Sequence, residues 1–218
     1  DAEVSFASYE PEMRRYYAAI VGKYSPFVQK ALSKLQGLPV EYLCTTHGPV
    51  WHRHAAEVIA LYDRMSRQEQ EDGVVIVYGS MYGNTHRMAE RFAELITERG
   101  VKVRRIFNAS YTEQSFILAD VWRYKGLVVA SPTYSMDIFP PVESFVRALE
   151  IRGIRNKVAV ALGSYAWAPK MAAEKIDQRL TALGLDTVGK VAMPMSLNDK
   201  PDTELQALAD AFAAKLKS

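Results

Sequence analysis

Cysteine is almost missing from this sequence. Cys44 stands alone, so no disulfide can close within the chain, and a reducing cytoplasm is the expected setting. Long apolar runs are missing too: no stretch reaches the roughly 18 residues of a membrane span, and nothing at the start reads as a secretory leader. Charge of one sign is not in excess. A formal net charge of +2 is too small to argue for nucleic acid or a membrane surface as partner. Two nucleotide fingerprints are also absent. The chain has neither GxxxxGK(S/T) nor GxGxxG, which removes the P-loop and the dinucleotide turn. What it does have is 49% hydrophobic and 24% charged residues over 218 positions. That composition supplies an ample core for one large domain, or for a domain with an appendage.

The most informative stretch runs from residue 73 to 96, GVVIVYGSMYGNTHRMAERFAELI. Val74, Val75, Ile76, Val77 and Tyr78 form the apolar, β-branched run of a strand covered on both faces. Helical spacing follows, with Met88, Phe92, Leu95 and Ile96 near one stripe. Between them lie Ser80, Met81, Tyr82, Gly83, Asn84 and Thr85. At such a helix entrance the first backbone N–H groups lack partners, and the helix dipole favours an anion. Gly83 permits a tight turn, and Ser80, Asn84 and Thr85 can donate hydrogen bonds. A phosphomonoester suits the loop, although a polar residue that simply caps the helix would give the same pattern.

Two further loops favour binding over capping. After the run 126–130 comes Ser131, then Pro132, Thr133, Tyr134 and Ser135, with a helix starting near Phe139, Pro140 and Pro141. After the strand 157–162 come Gly163, Ser164, Tyr165, Ala166 and Trp167, then a helix toward Leu183. All three loops follow the carboxyl ends of predicted parallel strands, where open α/β sheets bind ligands. Tyr134 and Trp167 fall outside any helical or strand stripe, so core packing does not account for them. A flat aromatic ligand bearing one phosphate fits this set.

Strands are expected near 74–79, 102–107, 126–131, 157–163 and 187–193, alternating with helices near 85–99, 113–122, 140–151, 168–183 and 202–217. Such alternation indicates βαβ units and a parallel sheet covered on both faces. The polar stretch 67–73 marks a break. Upstream, residues 11–37 read as two helices interrupted near Gly22 to Pro26, residues 40–44 as a strand, and residues 54–67 as a helix. This portion is too short for a substantial core of its own, so it is expected to pack on the downstream domain, on another chain or on a missing amino-terminal domain.

The three loops together resemble those of the flavodoxin family, and the variant resembles the flavodoxin domain of flavodiiron proteins (A-type flavoproteins). The matching pieces are YGSMYGNT at 78–85, SPTY followed by IFPPV within 131–142, and GSYAW at 163–167. One departure is that the third loop continues Ala168-Pro169-Lys170, where the family often has small residues and glycine. Lys170 either adds positive charge near the ligand or lies in solvent. The resemblance implies an α/β, flavodoxin-like, doubly wound five-stranded parallel sheet of order 2-1-3-4-5, holding FMN. The phosphate would lie on residues 80–85 and the ring between the second and third loops, with Trp167 as stacking partner.

His47, His52 and His54 invite a metal reading, but spacing alone supplies no convergent ligand set, and no H-x-E-x-D-H occurs. The resemblance adds to this. THGPVW at 46–51 is similar to the end of the metallo-β-lactamase-like diiron domain, which makes His47 the counterpart of the last iron ligand. His52 and His54 have no such counterpart and are expected at the surface, whereas His86, at the start of the phosphate-loop helix, either approaches the phosphate or faces solvent. Residues 1–69 would then be the end of the diiron domain, and residues 70–218 the FMN-binding domain. The chain starts at Asp1 rather than Met and reads as a piece of something longer. By resemblance it would be the electron-transfer module of an oxygen or nitric-oxide reductase, fed by a rubredoxin-like or flavin-reductase donor and working as a head-to-tail homodimer. Alone it would bind FMN without reductase activity, most iron ligands being absent. The alternatives are a free-standing flavodoxin-like carrier or quinone reductase and, further off, a phosphorylation-dependent receiver, whose acidic pocket has no counterpart here.

Overall fold

A computed structural model of the chain describes residues 1–167, 171–194 and 199–218. The expected helix start at 168–170, and with it the Lys170 question, lies outside the described residues. Helix α1 (Phe6–Tyr16) begins at Ser5, whose Oγ accepts the Ser8 N–H at 3.2 Å. It runs through a π-helical turn (Tyr17–Val21) and a 3₁₀ turn (Gly22–Tyr24) into α2 (Ser25–Ser33). The expected break is therefore a change of helical pitch. Within it Gly22 makes room for a neighbour: a Cβ there would lie 2.6 Å from the Trp122 ring. Strands β1 (Leu43–Cys44) and β2 (Val50–Trp51) form a two-residue antiparallel hairpin, shorter than the strand expected at 40–44. Helix α3 (Ala55–Arg67) follows.

The sheet begins with β3 (Glu71–Tyr78), then α4 (Asn84–Glu98), β4 (Val103–Asn108), α5 (Gln114–Arg123) and β5 (Tyr124–Tyr134). After the short β6 (Asp137–Ile138) come α6 (Pro140–Arg152), β7 (Val158–Tyr165), α7 (Met171–Ala182), β8 (Asp186–Pro194) and α8 (Asp199–Lys217). The parallel order is β4-β3-β5-β7-β8, which is the expected 2-1-3-4-5. Strand period 2 sorts the side chains. Val74, Ile76, Val128, Val160 and Leu162 face α4 and α8, with Phe92 and Phe212. Val75, Val77, Leu127, Val129, Ala159 and Ala161 face α5, α6 and α7.

The second layer does not stop at those helices. Met13, Tyr17, Trp51, Leu61 and Met65 belong to the same buried cluster as Val75, Val77 and Trp122. The Trp122 indole N–H donates to the Met65 carbonyl at 2.9 Å, and Tyr17 meets the Trp122 ring edge-on, centroids 5.7 Å apart. Of the three packing options open at the outset, the downstream domain takes this face. Glu71 binds Arg14 at 3.3 Å and Arg123 at 2.8 Å. The polar stretch after α3 is pinned rather than slack. Gln68 is buried at φ 53, donates to the Gly153 carbonyl at 3.0 Å and accepts the Arg155 N–H at 2.9 Å.

Candidate functional site

Three loops meet at the carboxyl ends of β3, β5 and β7, which lie side by side in the sheet. Strands β4 and β5 flank β3 on opposite sides, so the chain reverses its winding beside β3, where such sheets open a crevice. In the first loop, Ser80 Oγ accepts the Gly83 N–H at 3.1 Å. This closes a turn and leaves the hydroxyl proton to point elsewhere. Gly83 is left-handed at φ 86 and occupies the N-cap of α4 without any side-chain cap. The first turn carries no carboxylate. Met81 and Tyr82 stand out in solvent, Tyr82 at 83% exposure.

Thr85 is fully buried, and its Oγ1 shares a 2.8 Å hydrogen bond with Ser164 Oγ of the third loop. Close approach elsewhere fixes the floor. A Cβ on Gly79 would fall 2.7 Å from Phe139, at the end of the second loop, and from Val142 of α6, and one on Gly163 would fall 2.9 Å from Ala173. Both positions therefore need glycine for lack of space.

The second loop departs from expectation. Strand β5 continues to Tyr134 and folds back as β6, pairing Thr133 with Ile138 and Tyr134 with Asp137. Ser135 and Met136 form the two-residue turn, with φ of 47° and 65°. That conformation normally recruits asparagine and glycine, so the hairpin is not legible from Ser-Met. Ser131, not singled out from the sequence, locks the base: its Oγ donates to the Pro132 carbonyl at 2.9 Å and accepts the Phe139 N–H at 3.0 Å. Thr133 Oγ1 accepts the Ala172 N–H at 3.3 Å. Lys175 binds Asp137 at 2.8 Å and holds its carboxyl below the usual range. The Tyr134 ring stands edge-on to Phe139 and stays partly in solvent. In the third loop Tyr165 is half-buried and Ala166 exposed, and Trp167 is 78% exposed.

Beside the cradle, His86 stacks on Tyr78 with ring centroids 4.8 Å apart and lies 3.2 Å from Glu90. Burial pushes the Tyr78 phenol up. Arg87, one turn into α4, folds back to Asn84 Oδ1 at 2.5 Å. Helical spacing from Gly83 is the sequence signal that points to it.

His47 lies elsewhere, exposed on the turn between β1 and β2 with its ring 5.9 Å from that of Tyr16. It borders a cleft of about 360 Å³ with Tyr9, Glu12 and Tyr62. His52 stacks on Tyr42, and His54 pairs with Glu57. Among the described residues no three His, Cys, Asp or Glu side chains converge on a metal position.

The flavodoxin family model matches residues 76–212. The chain belongs to the flavodoxin family. An Escherichia coli protein named anaerobic nitric oxide reductase flavorubredoxin is 32% identical over 198 residues, 88% of this chain and 40% of that protein. The solved rubredoxin oxygen:oxidoreductase of Desulfovibrio gigas superposes on all of the chain and 55% of its own, with a TM-score of 0.93 and 26% identity. The flavodiiron protein of Giardia intestinalis shares the fold, with a TM-score of 0.87 over 99% of this chain and 55% of its own at 23% identity. The chain spans less than half the length of the curated relatives it matches. It fits the flavodoxin-like part of a flavodiiron protein, with the preceding segment included in the match.

A flavodoxin domain implies FMN, and the residues fit it. An uncapped helix N-terminus behind a left-handed glycine suits a phosphate. Asp137, the carboxylate of the second loop, is tied to Lys175 and does not repel an anion. Two exposed aromatics beside polar loops suit a flat ring.

Proposed function

We propose that this chain is the FMN-binding electron-transfer module of a flavodiiron oxygen or nitric-oxide reductase. Residues 80–85 would hold the phosphate through backbone N–H groups and the hydroxyls of Ser80 and Thr85. Pro132, Thr133, Tyr134 and Ser135 would line one side of the ring, and Ser164, Tyr165, Ala166 and Trp167 the other. FMN bound there would supply the redox chemistry, one-electron exchange between a donor and an acceptor. The chain's own residues bind it, orient it and keep water from one face. In this reading the donor is a rubredoxin-like protein or a flavin reductase, and the compartment is the cytoplasm. No helix among the described residues is long and apolar enough to cross a membrane.

We assign residues 1–69 to the end of the diiron domain, with His47 as one iron ligand, and residues 70–218 to the FMN domain. Support comes from the apolar surface of the first part. Ile20, Tyr24, Phe27, Leu38 and Tyr42 remain exposed, Phe27 at 70%, more than an isolated appendage has reason to show. In a head-to-tail homodimer the other iron ligands would come with the remainder of that domain. The shared core through Trp122 weighs against a free-standing carrier, which needs no such prelude.

The observation that carries the proposal is the uncapped start of α4, joined by Thr85 and Ser164 to a third loop that exposes Trp167. A visible spectrum of the purified protein, with metal analysis on the same sample, tests it. Flavin bands without iron are expected. A colourless protein that also refuses added FMN overturns the reading.

A further inference from the structure

We propose that Arg87 is the charge-reading arm of the phosphate loop, selecting a flavin phosphate over the uncharged flavin. The proposal deepens the FMN reading and rests on it. Arg87 lies in the first turns of α4, and its guanidinium folds back toward the helix start. There Nη2 donates to Asn84 Oδ1 at 2.5 Å, and Nη1 lies 3.3 Å from where a Cβ on Gly83 would stand. A cation in that place opposes the positive end of the helix dipole and costs free energy unless an anion joins it.

No carboxylate among the described residues performs that service. Glu90, the i+3 neighbour that helical geometry offers, is engaged by His86 at 3.2 Å. Arg91, at i+4, is itself a cation and is neutralised by Asp202 at 3.0 Å and Glu94 at 3.2 Å. The first turn of α4 is free of acidic residues, and among the described residues Arg87 has no ion pair. An exposed, unneutralised guanidinium is thus held over the uncapped N–H groups. A phosphate monoester, carrying close to two negative charges at neutral pH, relieves both. It accepts from the backbone of residues 84 and 85 and lies beside the guanidinium. Riboflavin, without phosphate, gains nothing from either.

The test is a fluorescence titration of the apo-protein with FMN and with riboflavin, at low and high salt, for the native chain, Arg87→Ala, Arg87→Gln and Arg87→Lys. Because Arg87 is exposed, Arg87→Ala is expected to weaken FMN about fivefold while leaving riboflavin unchanged. Arg87→Gln keeps an N–H donor for Asn84 and should lose as much, which separates charge from loop geometry. Arg87→Lys should recover part of the loss. Native FMN affinity should fall with salt more steeply than that of Arg87→Ala. Unchanged FMN affinity in Arg87→Ala and Arg87→Gln overturns the proposal and leaves the FMN reading standing. Equal losses of FMN and riboflavin overturn it too, since the loop shape would then be what changed. A native chain that binds neither flavin removes the FMN reading itself, and this proposal with it.

Discussion

Residues 71–218 cover both faces of their sheet with their own helices, whereas residues 6–67 bury one side only by leaning on that domain. Strand alternation is complete in the first region: Val74 and Ile76 face one layer, Val75 and Val77 the other, all without exposed surface. In the second, Trp51, Tyr17 and Leu61 are buried against Trp122 and its neighbours, while Ile20, Phe27 and Leu38 stay in solvent. The difference teaches where each region draws its stability. The sheet domain has a core of its own; the helical segment borrows one.

Trp122→Ala should break that comparison most strongly. It opens a cavity beneath Tyr17 and Gly22 and removes the donor to Met65, costing about 3–5 kcal/mol. Hydrogen exchange should then quicken across α1 and α3 well before β5 and β7. Uniform acceleration of both regions would show that the segment and the sheet unfold as one unit. A second, smaller break is Gln68→Ala. It removes two hydrogen bonds, to the Gly153 carbonyl and from the Arg155 N–H, at about 0.5–1.5 kcal/mol each. A urea midpoint identical to that of the native chain would refute the role of Gln68 as the pin between the regions.

Lys157 sharpens the same boundary through pH. Its ammonium is fully buried and donates to the carbonyls of Tyr124 at 2.7 Å and Trp122 at 3.4 Å, beneath the end of α5. Burial holds its pKa well below the ordinary lysine value. Over the interval between the lowered value and the ordinary one, about 10.4, the unfolded chain binds a proton that the folded chain does not. Stability should therefore rise as pH climbs toward the upper limit. Tyr17 and Tyr62, pushed up by burial, act in the opposite sense only near and above the ordinary phenol value of about 10. Lys157→Met should flatten the rise below that point and cost about 1–2 kcal/mol at neutral pH, because two carbonyls lose a donor. Denaturant melts across that range check it; a slope equal to the native one would show that Lys157 is not the group responsible.

The sheet is readable from sequence because its signals are local and redundant. Five β-branched runs alternate with amphipathic helices, and the polar loops with stray aromatics fall where α/β crevices form. Its strand order comes with the family likeness and holds in the structure. Other features depend on partners far along the chain. Gln68 looks like part of a polar spacer because Gly153 and Arg155 are remote in sequence. Ser131 looks like an ordinary loop serine until Phe139 comes within reach. Gly22 reads as a helix break, whereas its role is to let the Trp122 ring approach. The β5–β6 hairpin escapes a sequence reading for a different reason: its turn residues are the wrong type for their conformation.

That mismatch yields the smallest prediction and the one closest to the site. Ser135 and Met136 both occupy the left-handed region, at φ 47° and 65°, where a side chain is penalised by roughly 1–2 kcal/mol per residue and glycine is not. Glycine also gains freedom in the unfolded chain, which offsets about 0.5–1 kcal/mol. Met136→Gly should therefore stabilise the protein by at most about 1 kcal/mol, and Ser135→Asn, suited to the first turn position, by less. Anchors on either side do not depend on these two side chains. Lys175 still binds Asp137, and Thr133 still accepts from Ala172. The hairpin should keep its register, and for Met136→Gly a melting temperature raised without loss of FMN affinity is the expected result. If Met136→Gly instead lowers FMN affinity while raising stability, the Met136 side chain belongs to the flavin pocket's wall beside Ser135, and the sheet domain too carries a segment whose shape is set by something beyond its own core.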